Sequence, residues 1–243
     1  MADISTRNRL RINNYWQTIQ SKEKNYLIKY SDKYKYLKAR IFGYLAGDGN
    51  VYVGNTEKNK NFTVRFFPDH KSLIEPYVEA FISVYNKNPK VKKLNNYYSL
   101  RVDSKIIVED ILKTSQFGVN KWEVPKFVLN DDDCKVEWLR AFFDAEAYFD
   151  GKRIKLQTIN EKGMNQVESL LLSLGIHVSR YEYLPKNIKW KKNYILIISR
   201  ISEIKKFDKL IGFNHKVKDN KLIDSVNLYK WNWFFLNYYA AIA

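Results

Sequence analysis

The 243-residue chain is expected to fold as an α+β protein of two related α-β-β-α-β-β-α units packed against each other. Three observations predict this. One order of helix-like and strand-like stretches runs twice along the chain. Each copy opens on a helix with small residues four apart and an acid at its end. The two copies also leave by similar segments, Phe117-Gly118-Val119-Asn120-Lys121 and Ile211-Gly212-Phe213-Asn214-His215.

The first unit begins at YKYLKARIFGYLAGDG, where Leu37, Ile41, Tyr44 and Leu45 recur at helical spacing. Alternating stretches at 50–55 and 61–67 read as strands. A helix over 71–85 follows, with Leu73, Ile74, Tyr77, Val78 and Phe81 on one face. Strand-like PKVKKLN and YYSLRVD then lead to a short helix over 105–115. The second unit repeats the order: a helix over 136–147, a strand over 153–159 and a helix over 161–174. Strand-like HVSRYEYL and NYILIIS and a helix over 201–211 complete it. The division expected is a basic extension over 1–35, a first half over 36–130, a second half over 131–226 and an aromatic tail over 227–243. The joint from Val124-Pro125 to Cys134 is too short for a flexible linker. Residues 1–35 lack a clear period, with Trp16 and Tyr26 expected to pack on the first unit and the tail expected to dock as a helix.

Lys and Arg outnumber Asp and Glu by 42 to 26, a formal charge of +16. Such an excess favours a polyanion, since each phosphate neutralised releases condensed counterions. Cys134 is the single cysteine, which excludes an intrachain disulfide and a thiolate zinc cluster. His70, His177 and His215 stand at no metal-ligand spacing. No apolar run approaches the roughly 18 residues of a membrane span, and the N-terminus has no apolar signal segment.

The chemistry concentrates at two helix ends. Gly43 and Gly47 precede Asp48; Ala141 and Ala145 precede Glu146. Residues four apart share a helix face, so two such stripes let two backbones approach closely. Packed in parallel, the helices would bring Asp48 and Glu146 out side by side at their C-termini. Carboxylates are disfavoured there by the helix dipole and repel each other. A divalent cation between them relieves both effects, and Mg²⁺ suits carboxylate, carbonyl and water oxygens. Ordinary solvated helix-end acids are the plainer alternative.

Ile41-Phe42-Gly43-Tyr44-Leu45-Ala46-Gly47-Asp48-Gly49 resembles the LAGLIDADG motif, and Leu139 through Ala147 resembles its second copy. Lys121-Trp122-Glu123-Val124-Pro125-Lys126-Phe127-Val128 is similar to the linker of single-chain homing endonucleases. The resemblance covers roughly residues 36 to 226. It implies a pseudo-twofold protein whose two curved antiparallel sheets form a saddle on the DNA major groove. The activity it implies is metal-dependent, staggered double-strand cleavage of a long target. Asp48 and Glu146 would be catalytic and would bind metal together with Gly47 and Ala145. Mg²⁺ is the cofactor implied, with Mn²⁺ as substitute. Double-stranded DNA is the partner, intron RNA a second candidate, and the chain a monomer. An intron-encoded protein of a prokaryotic, archaeal cytoplasm is expected, with an organellar origin left open. The sequence departs from the family where a basic residue usually ends the second strand of each half. Asp69 and Ile159 stand there, so His70, Lys71 and Lys162, with Lys155, become candidates for a basic pocket.

Strand alternation assigns the DNA-reading face. Tyr52, Thr63, Arg65, Ser99, Arg101, Arg153, Lys155 and Gln157 fall opposite the apolar positions, and Arg and Gln there suit guanine and adenine edges. Three rival readings remain. Pro68-Asp69 with Asp103-Ser104-Lys105 spells the PD…DxK pattern of a different nuclease class. An RNA maturase or a non-cleaving DNA-binding protein would keep fold and charge. An intein-borne form is not expected, as the chain begins at Met and lacks a terminal His-Asn.

Overall fold

The computed structural model describes residues 4–30, 33–56, 59–187 and 189–240, with side chains over 11–27, 33–54, 61–187 and 189–228. A long helix α1 (Ile4–Tyr30) leads into the first half: α2 (Lys35–Ala46), β1 (Gly49–Thr56), β2 (Asn59–Phe66), α3 (Ile74–Tyr85), β3 (Lys90–Lys93), β4 (Tyr98–Asp103) and α4 (Lys105–Thr114). A one-turn helix α5 (Lys126–Leu129) opens the joint. The second half is α6 (Asp132–Glu146), β5 (Tyr148–Phe149), β6 (Ile154–Thr158), α7 (Glu161–Ser173), β7 (Ser179–Tyr183), β8 (Asn193–Ile198) and α8 (Ile201–Leu210). Helix α9 (Lys216–Ala240) follows.

The sheets have corresponding orders, β1-β2-β4-β3 and β5-β6-β8-β7, with all neighbours antiparallel. Each is fully buried on one face only. Val64, Phe66, Leu100 and Val102 are buried in the first, and Ile154, Leu156, Leu196 and Ile198 in the second. Helices cover that face and leave the other open, the arrangement antiparallel sheets allow. Between the halves, α2 and α6 form the central seam, where Ile41, Phe42, Leu139 and Phe142 are buried.

Local chemistry sets several boundaries. Helix α6 starts at Asp132, four residues before the expected 136, because Asp131 caps it by accepting the Cys134 amide at 2.9 Å. Ser104 caps α4 and Asn160 caps α7 in the same way. The stretch over 71–85 begins as a 3₁₀ turn, Lys71–Leu73, before α3. Strand β5 is only two residues long, too short to leave a period in the sequence.

The flanks need correction. Residues 4–30 form one 27-residue helix, and its lack of an apolar stripe over 11–18 reflects that every residue there is exposed. Tyr26 packs as expected, its hydroxyl donating to Ser83 O at 3.0 Å. Trp16 does not, and remains 55% exposed. The aromatic tail continues α9 as a helix to Ala240; its docking lies outside the described side chains. Among the described residues no helix is long and apolar enough to cross a membrane.

Candidate functional site

Helices α2 and α6 run in the same direction, and the glycines show how closely. A Cβ on Gly43 would lie 2.3 Å from Trp138 O and 2.9 Å from Ala141 Cβ. One on Gly47 would lie 2.5 Å from Ala145 Cβ and 3.2 Å from Glu146 Cγ. Position 43 therefore meets 138–142 and position 47 meets 145–146, a parallel pairing. It sets Asp48 and Glu146 beside each other between the two sheets. Arg40 Nε donates to Glu137 Oε2 at 2.7 Å across the seam, fixing its register one turn further back.

Both acids are held away from their charged forms. Burial raises Asp48 from 3.8 to about 7, and the charges of Glu146 and Asp69 add to the shift, while Lys218 opposes it. Glu146 is raised as well, again by burial and against the pull of Lys218. Its side chain is reachable by solvent at a cleft floor, yet the protein mass of both halves surrounds it and weakens hydration. Two carboxylates at helix C-termini, with the carbonyls of Gly47 and Ala145 adjoining, make an anionic, all-oxygen donor set. That set fits a hard divalent cation. Among the described residues no cluster of three or more His, Cys, Asp or Glu could hold a metal ion, so further ligands must be carbonyls, water or phosphate.

Sequence reasoning missed Lys218. It stands in the first turn of α9, and its Nζ donates to Phe143 O at 3.2 Å and Asp144 O at 2.5 Å, at the carbonyl end of α6. Burial lowers its pKa, opposed by Asp144, Asp69, Asp48 and Glu146. Asp144, completely buried, is what positions it. Its Oδ1 accepts the amides of Asn214 and His215, both at 2.9 Å, and its Oδ2 accepts Tyr44 Oη at 3.1 Å. Burial pushes Asp144 up to about 6 despite these bonds. The repeated exit segment noted in the sequence thus serves a purpose: in the second half it ties α9 to the seam and delivers Lys218.

The expected basic pocket is corrected accordingly. Lys162 turns to Glu123 at 2.8 Å. Lys71 lines a separate depression with Arg40, Glu75 and Glu79. His70 stacks on His215 with ring centroids 4.8 Å apart, and His215 Nε2 lies 3.3 Å from Asp69 Oδ1. The His215 contact holds Asp69 below its usual range. On the other side of the seam, the cleft holding Glu146, Gln157, Ile159 and Asn193 has no cation in its wall among the described residues. The two acids therefore sit in unequal surroundings.

The open face of the first sheet is strongly charged, whereas that of the second mixes Arg153 and Lys155 with Tyr148, Tyr181, Ile195 and Ile197. Asn50, Arg65, Arg101 and Lys90 stand in one row across β1, β2, β4 and β3. Adjacent like charges on neighbouring strands repel; Asp103 offsets one of them by pairing with Arg101 at 2.9 Å, and the net positive row suits a surface that meets an anion. Tyr52 is exposed beside them and Ser99 is half-buried. Thr63 is a correction: it is 2% exposed, and its hydroxyl donates to Asp103 Oδ1 at 2.8 Å. In the second half Arg153 pairs with Asp150 at 3.1 Å, Lys155 is half-buried, and Gln157 Nε2 donates to Asn193 Oδ1 at 3.2 Å. The PD…DxK reading does not assemble. Asp103 is opposite Thr63, whereas Asp69 lies six residues further on, roughly 20 Å along an extended chain.

Comparison with known proteins agrees with this geometry. The model of the LAGLIDADG-like domain matches residues 133–212. Three proteins of Methanocaldococcus jannaschii contain similar segments. Glutamine–fructose-6-phosphate aminotransferase [isomerizing] is 30% identical over 198 residues, covering 79% of this chain and 17% of that protein. Replication factor C small subunit is 27% identical over 206 residues, covering 83% and 11%. ATP-dependent DNA helicase Hel308 is 27% identical over 237 residues, covering 88% and 18%. The chain thus spans less than a fifth of each. Among solved structures, mesophilic variants of the homing endonuclease I-DmoI superpose with a TM-score of 0.59 at 20% identity, over 74% of this chain and 97% of theirs. I-DmoI in complex with DNA and Mn gives 0.58 at 21%, over 73% and 97%. The paired helices and the two matching sheets give the chain the fold of these homing endonucleases, and the LAGLIDADG-like domain model matches its second half over residues 133–212.

Proposed function

We propose that the protein is a site-specific homing endonuclease that makes a magnesium-dependent, staggered double-strand break in a long DNA target, acting as a monomer. The observation that carries this reading is the pair Asp48 and Glu146, brought together by two parallel helices between two cation-bearing sheets. A pair related by pseudo-twofold symmetry gives one acid to each strand of a duplex. The solved I-DmoI complex with DNA and Mn supports the same partner, and Mn²⁺ as a substitute for Mg²⁺.

Asp48 and Glu146, with the carbonyls of Gly47 and Ala145, would hold the cations. When bound, a divalent ion lowers the pKa of water and stabilises the leaving oxygen. The sheets bind and orient the duplex through Arg65, Arg101 and Lys90, and the seam keeps both acids on a rigid base. Lys218 balances the carboxylates and holds the carbonyl end of α6 in place.

The three M. jannaschii relatives bear names with no common activity. A segment recurring within them supports a self-contained mobile module. Since it is a minor part of each, a form carried in frame within a host protein stands beside the intron-borne one. An archaeal cytoplasm is the setting proposed.

The test is incubation with a duplex joining the sequences on either side of the reading frame. Two fragments with short 3′ overhangs, formed in Mg²⁺ or Mn²⁺ and not in EDTA, are expected. Tight binding of that duplex with no cut in either metal would leave a DNA-binding protein and overturn the nuclease. Retention of a structured intron RNA in preference to the duplex would favour a maturase.

Lys218→Met is expected to slow single-turnover cleavage about 100-fold, the usual effect of removing one preorganised charge from a reaction centre. DNA affinity should change little, because Lys218 faces α6 rather than the sheet surface. Single-turnover rates at saturating protein, beside equilibrium titration, separate the two. A loss of affinity with an unchanged rate would remove Lys218 from the centre.

A further inference from the structure

Helix α1 is longer than its packing requires. Its C-terminal part is anchored: Glu23 accepts from Lys87 Nζ at 2.7 Å and from Ser104 Oγ at 2.6 Å, and Tyr26 reaches Ser83. Among the described side chains the anchoring ends towards residue 11. Residues 11–18 are all exposed, including Ile12, Tyr15 and Trp16. Exposed apolar and aromatic residues in an unpacked stretch call for an explanation.

Charge supplies one. Between Ile4 and Lys22 there is no acid, while Arg7, Arg9 and Arg11 stand close together. Arg7, Arg11 and Tyr15 are spaced four apart and fall on one helix face. Trp16 shares a cleft with Lys90, Arg101 and Lys105. Lys90 and Arg101 belong to the cation row of the first sheet, so α1 continues that surface rather than starting another.

The sheet order tells where it leads. Strand β1 leaves the central helix α2, so β3, the opposite edge of β1-β2-β4-β3, is the outer flank. Lys90, Lys92 and Lys93 on that edge are all exposed. A duplex lying across the two sheets would leave the protein there, beside Trp16. The 12 residues from Ile4 to Tyr15 extend roughly 18 Å at the helical rise. That length matches about five base pairs of duplex, which carry about ten phosphate charges.

We propose that the N-terminal half of α1 is a DNA-binding arm, which grips the phosphate backbone about five base pairs beyond the first-half end of the saddle. The arm rests on the reading that the saddle binds duplex DNA. Helix α9, which follows the second half, packs instead against α8 and β5 at the centre, so the far end of the target has no equivalent helix in the described residues. The footprint is accordingly asymmetric.

The experiment compares the full-length protein with Arg7→Ala/Arg9→Ala/Arg11→Ala and with the corresponding triple Lys variant. The probe is a duplex of about 60 base pairs centred on the joined flanking sequences, held uncut in Ca²⁺. Alanine is the best helix former, and circular dichroism checks that the helix persists. Between about 50 and 200 mM salt, the Ala variant should lose up to about 3 from the slope of log K against log salt, near 0.9 per phosphate contact. Hydroxyl-radical protection should shorten by about five base pairs at one end only. The Lys variant should retain both, and Trp16→Ala should weaken protection at the same end. Equal footprints and slopes for wild type and Ala variant would overturn the arm while leaving the saddle intact. So would shortening at both ends, or an effect confined to RNA. Failure of the wild type itself to bind the duplex would overturn the saddle, and the arm with it.

Discussion

Asp48→Asn is expected to abolish double-strand cleavage and, in the absence of metal, to make the protein more stable at pH 8. The first effect follows from the loss of a ligand charge at the centre, worth several kcal/mol and so about a thousandfold in rate. The second follows from linkage. Asp48 titrates near 7 in the fold, against 3.8 ordinarily, because it is buried beside Glu146 and Asp69. A carboxyl with a raised folded pKa contributes its stability below its unfolded pKa and loses it as pH rises through the folded value. The penalty on the wild type therefore grows between about pH 4 and pH 7 and is complete above it, and the amide escapes it. Full burial would make a shift of this size worth about 4 kcal/mol; solvent at a half-buried site reduces this to about 1–2 kcal/mol. For a chain of this length that is roughly 2–8 °C in melting temperature. Melting both proteins in EDTA at pH 4.5 and pH 8 should show the difference growing with pH. Equal melting points at pH 8 would mean that the carboxylate is relieved by something other than a bound metal.

Stability and activity thus oppose each other at this residue, and the same opposition explains what could be read from the sequence. Gly43, Gly47, Asp48, Ala141, Ala145 and Glu146 were legible because close approach of two helices acts on residues a few positions apart in each. Lys218 was not. Its place depends on Asp144 binding the amides of Asn214 and His215, about 70 residues later in the chain, and no local period records such a link. Lys162 lies near the expected strand end, but Glu123 from the joint takes its charge. Thr63 has the right alternation for the open face, yet its register partner is Asp103, which claims the hydroxyl. In α1 the helix was illegible for the opposite reason: a segment exposed on all sides has no stripe to show. The elements that pack against one another are readable from their periods, whereas contacts made by isolated polar groups across the fold are not.

The seam itself yields the other large effect. Gly43→Val should destabilise the protein by about 3 kcal/mol or more, beyond the usual range for an overpacked core. The first added carbon would meet Trp138 O at 2.3 Å, with Phe142 N at 3.2 Å behind it. These are backbone atoms in the middle of α6, so no side chain can turn aside and the helices must separate. Separation would open the cores of both halves, since Phe42, Leu139 and Phe142 are buried on these two helices. Gly47 differs in kind. Its added carbon would press on Ala145 Cβ and the Glu146 side chain, at the helix end, where a small rotation relieves the clash. Gly47→Ala should therefore cost about 1–2 kcal/mol yet slow cleavage more than Gly43→Ala does, because it displaces the acid directly. Urea unfolding and single-turnover cleavage of the two alanine variants should rank them in opposite orders. A Gly43→Ala protein as stable as the wild type would show that α2 and α6 do not approach this closely. The spacing of Asp48 and Glu146 would then need a different cause.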